Sequence, residues 1–110
     1  MEYSVYQMIP AHRKYLAEYL PSEYFDATIK GEIEGSMFIA HYERVCTIEA
    51  SDLDEVFHIG NVGPEHQITR EAGVRMSSVS VGDVIGDNEG RLFIVKPFGF
   101  DRFNEHKACA

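Results

Sequence analysis

Five histidines, His12, His41, His58, His66 and His106, are the side chains best suited to acid–base or metal chemistry in this chain. They are scattered, with no HxH or HxxxH pair among them. A metal site needs three or four convergent ligands, and only folding could gather His58 and His66 with Asp83. The carboxylates Asp83, Asp87 and Glu89 cluster around Gly82, Gly86 and Gly90. Paired carboxylates do acid–base work when their surroundings separate their pKa values. Aspartates beside glycine more often form turns by bonding their own backbone, so Asp83 and Asp87 are expected as turn formers. The glycines make no phosphate loop, because there is no GxxxxGK[ST] pattern and no helical pattern follows them. Ser77, Ser78 and Ser80 lack the GxSxG elbow that exposes a nucleophile. No catalytic residue, metal ligand or cofactor is expected, and the chain reads as a non-enzyme.

Two cysteines, Cys46 and Cys109, make no CxxC pair. A buried free thiol and a tail thiol in a reducing cytoplasm are expected. The net charge of −8 opposes binding to phosphate backbones and to anionic membranes, and it permits a basic partner. No apolar run approaches the length of a membrane span, and the N-terminus has no basic start followed by a long apolar run. A protein partner with a basic surface is therefore expected, met by Asp52, Asp54, Glu55, His58, Glu65 and His66. Ten Lys and Arg dilute the acids, which argues against strong DNA mimicry. The alternative is a β-rich, PUA-like nucleic-acid module. In it Tyr3, Tyr6, Phe93, Phe98, Phe100 and Phe103 would stack on bases, and Arg91, Lys96 and Arg102 would meet phosphates. An enzyme with an unrecognised site is the third reading. Nothing in the sequence sets the oligomeric state.

The elements that must position these residues follow from periodicity. Glu2 to Ile9 is rich in aromatic and β-branched residues and reads as a strand that Pro10 ends. Ala11 to Leu20 changes period, placing Tyr15, Leu16, Tyr19 and Leu20 on one face of a short helix stopped by Pro21. Ser22 to Gly35 is undecided, with Glu23, Asp26, Glu32 and Glu34 read as solvated acidic surface. Met37 to Ala50 reads as a strand-like run with a turn, bulge or bend near Glu43 and Arg44. Ser51 to Ile59 reads as a helix capped by Ser51 with Asp54 in capping-box register, burying Leu53, Val56 and Phe57. Pro64 to Arg75 reads as a polar loop, a common place for a site.

Ser77 to Phe100, SSVSVGDVIGDNEGRLFIVKPFGF, reads as apolar segment, acidic turn and return strand. Pro97 breaks that strand, and Phe98-Gly99-Phe100 closes the core. The expected core is Tyr6, Met8, Leu16, Leu20, Phe38, Val45, Ile48, Leu53, Phe57, Val81, Val84, Phe93, Val95 and Phe98.

With these pieces in order, the chain resembles the YodL-like family of small domains. Tyr3-Ser4-Val5-Tyr6-Gln7 is similar to its YxIYQ opening, and Tyr42-Glu43-Arg44-Val45 to its YExVYxGE strand. Leu53-Asp54-Glu55-Val56-Phe57 is similar to its LEDIYxxFN helix, and Ser78 to Ile85 to its SLSVSDVV segment. Phe93 to Phe100 is similar to its YYVDSFGF ending. Gly82 departs from a serine, and Lys96-Pro97 from an aspartate-serine pair. The resemblance implies a setting on bacterial mobile elements, phages and plasmids, beside antirestriction and DNA-processing modules. It transfers no catalytic residues.

The expectation is one α+β domain over residues 1–105 with a loose tail at 106–110. An antiparallel sheet of about four to six strands carries one or two short helices.

Overall fold

The computed structural model describes residues 1–104. The chain runs β1 (Glu2–Met8), α1 (Pro10–Tyr19), α2 (Pro21–Phe25), a π-helical turn (Asp26–Lys30), α3 (Gly35–His41) and β2 (Tyr42–Glu49). It continues through α4 (Leu53–Val62), a 3-10 turn (Glu65–Gln67), β3 (Ile68–Arg70), β4 (Val84–Gly86), β5 (Leu92–Val95) and β6 (Phe100–Phe103). The strands form one antiparallel sheet in the order β3-β2-β1-β4-β5-β6. The α+β class expected from the sequence is the class observed, with more helix than expected. The expected tail at 106–110 lies outside the described residues. Among the described residues no helix is long and apolar enough to cross a membrane.

β1 is central because its sequence gives it two buried faces. Tyr3 and Val5 join one core with Ile48, Val56, Ile59, Val79, Ile85 and Val95. Met8 joins the other with Leu16, Ala27, Met37, Phe38, Tyr42, Val84 and Ile94. The strand period of two divides Val84 from Ile85 and Ile94 from Val95 between these cores. α4 and the segment before β4 cover the first core. α1, the π turn and α3 cover the second.

The phase slip expected near Glu43 and Arg44 is a β-bulge. Val5 pairs with Cys46 while Tyr6 pairs with Arg44, so Val45 is the extra residue. Val45 and Cys46 consequently both turn into the first core.

Several local expectations are corrected. Met37 to His41 is helical, not extended: adjacent Met37 and Phe38 are both buried while Ile39 and Ala40 are exposed, which suits a 3.6-residue turn. On α1 only Leu16 is buried. Tyr15, Tyr19 and Leu20 are exposed because the chain turns at Leu20 directly into α2. The cap of α4 sits one residue later than expected. Asp52 accepts the Glu55 amide (2.8 Å), and Glu55 accepts the Ser51 amide (3.0 Å).

Gly60 lies inside α4, where a Cβ would run into the Val79 side chain, and the helix is capped at Gly63. Val56 and Ile59 therefore face the sheet, and Phe57 is turned outward. Phe98 is 96% exposed at the tip of the β5–β6 turn, and Phe100 packs in its place. Part of the expected loop Pro64 to Arg75 is the edge strand β3, whose Ile68 covers the first core beside Ile48. Tyr6, Leu53, Val81 and Phe93 are half-buried, not fully buried.

Asp87 is a turn former as expected. One oxygen accepts the Glu89 and Arg91 amides (both 2.9 Å), and the other accepts Arg91 Nε (2.7 Å). Two substitutions separate architecture from decoration. Val84→Asp, at 0% exposure, places an unpaired charge in the second core and is expected to unfold the domain by circular dichroism. Asp87→Asn keeps the Oδ1 acceptor of the two turn amides but sets an NH2 against Arg91 Nε in place of an accepting oxygen, on a side chain only 4% exposed. Because Arg91 is exposed and can swing away, urea denaturation is expected to show a cost of about 1–2 kcal/mol, well short of unfolding.

Candidate functional site

The helical layer is built by prolines and one left-handed glycine. Pro10 and Pro21 stand at the first positions of α1 and α2, where a fixed φ and a missing N–H cost nothing. The π turn ends at Gly31, whose φ of 68° reverses the chain toward α3. The return places Glu32, Ile33 and Glu34 opposite the end of α1. Between them lies a cleft of about 480 Å³. Its apolar wall is Leu16, Leu20, Ile33, Met37 and Ala40. Glu23, Asp26, Glu32 and Glu34 line it with carboxylates, and no Lys or Arg lines it.

The carboxylates are only lightly neutralised. Asp26 meets Lys30 at 3.5 Å in an exposed pair worth little, and Glu32 meets half-buried Lys96 only at 4.0 Å, while Lys96 Nζ also donates to the Gly31 carbonyl. Glu23 and Glu34 have no ion pair among the described residues. His41 completes the wall, and its Nδ1 stands 3.2 Å from Nδ1 of His12 on α1. Burial, then the neighbouring His12, hold His41 below the ordinary histidine range. These acids were read from the sequence as solvated surface. The signal available there was an acidic run with Ile29 and Ile33 interleaved, and only the fold makes it converge.

The six residues expected at a protein interface are divided in role. Asp52 and Glu55 are committed to the α4 cap. Glu65 is clamped by Arg70 through two bonds of 2.6 and 3.3 Å, which hold its carboxyl below the usual range. Asp54, His58 and His66 are exposed, on α4 and the following 3-10 turn.

The three cations of the nucleic-acid alternative form no strip. Arg91 is bound by Asp87 and Glu89. Arg102 lies 5.8 Å from the centroid of Phe93, a neighbour of Ile85 on the α4 side of the sheet. Lys96 reaches the opposite side, with Nζ 3.3 Å from the Gly31 carbonyl.

Asp83 is not brought to His58 and His66, and among the described residues no three His, Cys, Asp or Glu side chains gather as a metal site. Its carboxylate is buried, accepting from Gln7 Nε2 (2.9 Å) and the Ser80 amide (3.0 Å). Burial pushes its pKa up to about 6, against the opposing pull of those two bonds. Cys46 is a buried free thiol, as expected, and burial pushes its pKa up to about 11, which makes it unreactive. No family model, no characterised protein and no solved structure matches this chain.

The Asp83 shift has a stability consequence of definite sign. Its folded pKa of about 6 lies above the ordinary 3.8, so the native state holds the proton more tightly. Its contribution is fully present below pH 4 and is lost as pH rises through 6. Urea denaturation of wild type and Asp83→Asn is expected to show a difference that changes by about 3 kcal/mol between pH 3.5 and 7, to the disadvantage of wild type at the higher pH. A flat difference contradicts the burial of an ionisable carboxylate here.

Proposed function

We propose that this chain is a small non-enzymatic interaction protein whose acid-lined cleft receives a basic segment of a partner protein. The observation that carries this reading is the cleft itself: four carboxylates around an apolar wall, with no cation among the lining residues. Fields of one sign steer encounter and reject like-charged partners. A chain of net charge −8 is repelled by nucleic acid, by anionic membranes and by a second copy of itself. A cationic protein surface is the macromolecular partner that remains.

The surroundings of the cleft support the same reading. Tyr15, Tyr19, Leu20, Phe25, Ile29 and Ile39 are all exposed and all belong to the layer formed by α1, α2, the π turn and α3. Apolar and aromatic anchors inside a charged rim are the usual composition of a protein interface. The resemblance to the YodL-like family adds a setting. In a phage or mobile element the partner would be a host protein, and occupation of its basic groove would be counter-defence.

Affinity capture from host lysate, read with charge-reversed variants, tests this. Wild type is expected to retain a basic protein at low salt and release it as salt shortens the screening length below about 10 Å. Glu23→Lys with Glu34→Lys is expected to abolish capture while keeping the wild-type circular dichroism. Asp54→Lys, on α4, is expected to leave capture intact. Loss confined to the α4 variant, capture insensitive to the cleft charges, or no captured protein each overturns the reading.

A further inference from the structure

At the exit of β1 a second, smaller cleft of about 250 Å³ is lined by Gln7, Met8, Pro10, Arg13, Arg75 and Ser77. Two of these residues are arginines, and none is a carboxylate. The other four arginines of the chain are engaged. Arg44 pairs with Glu71, Arg70 with Glu65 and Arg91 with Asp87, while Arg102 lies against the Phe93 ring. Arg13 and Arg75 have no ion pair among the described residues, in a chain with 18 acids to 10 bases. Arg13 makes one long contact, 3.4 Å to the Tyr24 hydroxyl. Two carboxylates adjoin Gln7, and neither neutralises the pair. Asp83 accepts from Gln7 and the Ser80 amide. Glu43, opposite Gln7 in the β1–β2 ladder, forms an ion pair with neither arginine.

The fold holds both arginines at this place. Buried Gln7 bonds the Ser77 amide (3.0 Å) and the Ser77 carbonyl (2.9 Å), which fixes the backbone two residues beyond Arg75. The Arg13 amide donates to the Ile9 carbonyl (2.9 Å), which fixes Arg13 in the first turn of α1. That turn has no acidic residue. The Ser77 hydroxyl makes only a 3.3 Å bond to Gln7 and is a further donor on the wall. Two guanidiniums in one cleft repel each other unless an anion lies between them, and their planar forks match the paired oxygens of an oxyanion. A phosphate group carries a charge of about −1.5 to −2 at pH 7, enough to meet both cations, where a carboxylate meets one. The net charge of −8 opposes a polyanion. The volume lies below the roughly 300–1,000 Å³ of most ligand sites, so the ligand is small. We propose that Arg13 and Arg75, with Ser77, form a site for the phosphate group of a small molecule. This inference does not rest on the proposed partner.

Isothermal titration and thermal unfolding of the full chain with inorganic phosphate test it, with ionic strength held constant by NaCl. One phosphate per chain is expected. Glycerol phosphate is the second probe: tighter binding than inorganic phosphate assigns the site to a monoester, and weaker binding assigns it to the free ion. Acetate is expected to bind about tenfold more weakly than phosphate, or worse. Arg13→Gln and Arg75→Gln are each expected to weaken phosphate binding by about tenfold or more. Arg75→Lys, which keeps the charge and loses the fork, is expected to weaken it less. Arg102→Gln is expected to change nothing. Phosphate also stabilises proteins by exclusion from their surface. The Tm reading is therefore the rise in wild type beyond that in Arg75→Gln, about 5 °C at ten times Kd. Arg75 is exposed in an irregular segment, so Arg75→Gln keeps the fold even where Arg13→Gln does not. Unchanged phosphate affinity in folded Arg75→Gln overturns the proposal, as does an equal loss in Arg102→Gln. So does acetate binding as tightly as phosphate, or the absence of heat and of any additional wild-type Tm rise at millimolar phosphate.

Discussion

The Gln7 carboxamide is the constraint on which the rest of the fold depends. It sits on the central strand and is only 3% exposed, so each of its polar atoms needs a partner. Nε2 donates to the Ser77 carbonyl (2.9 Å) and to Asp83 (2.9 Å), and Oε1 accepts the Ser77 amide (3.0 Å). The segment between β3 and β4 has no regular structure of its own, and this one side chain clips it to the sheet. The clip continues outward. The Gly82 amide donates to the Val95 carbonyl, the Val95 amide donates to the Asp83 carbonyl, and the Tyr42 hydroxyl donates to the Gly82 carbonyl at 2.7 Å. Among the described residues no buried side-chain nitrogen or oxygen lacks a partner. With the segment held, Val79 is set against Gly60 and the first core is sealed.

The two faces of the sheet are finished differently, and the candidate site follows from that difference. α4 covers its face closely, with Gly60 allowing backbone and side chain to meet. The other face is covered by short elements joined by tight turns. α1 contributes one buried residue, α2 none, the π turn one and α3 three, Gly35, Met37 and Phe38. So thin a layer cannot enclose all its apolar side chains, and it leaves both exposed aromatics and the acid-lined cleft.

Much of the architecture was legible in the sequence where local chemistry decides it. The alternation of Tyr3 and Val5, the proline after β1, the Gly-Asp turn before β4 and the acidic hairpin before β5 each announce their structure within a few residues. The cap of α4 was legible to within one residue, because Ser51 and Asp52 are both good caps and only geometry chooses between them. Leu20 and Phe57 were misplaced because periodicity names an apolar face without saying how wide the opposing surface is. Phe98 was misplaced because a residue at a hairpin tip has nothing to pack against. The cleft was not legible, because Leu16, Glu23 and Glu34 converge only through the π turn and Gly31. Nor was the Gln7–Asp83 bond, whose partners are 76 residues apart.

The order β3-β2-β1-β4-β5-β6 has a consequence for how the chain is assembled. β1 emerges before either neighbour, yet it is the only strand shared by the β2–β3 side and the β4–β5–β6 side. It must wait for partners some 40 and 80 residues downstream, as Val5 opposite Cys46 and opposite Ile85 illustrates. Closing such long loops before any contact rewards them slows folding. It also makes the molecule divisible in an unusual way: without Glu2–Met8 there remain two half-sheets with no common ladder. A single seven-residue strand supplied in trans would be the piece that joins them.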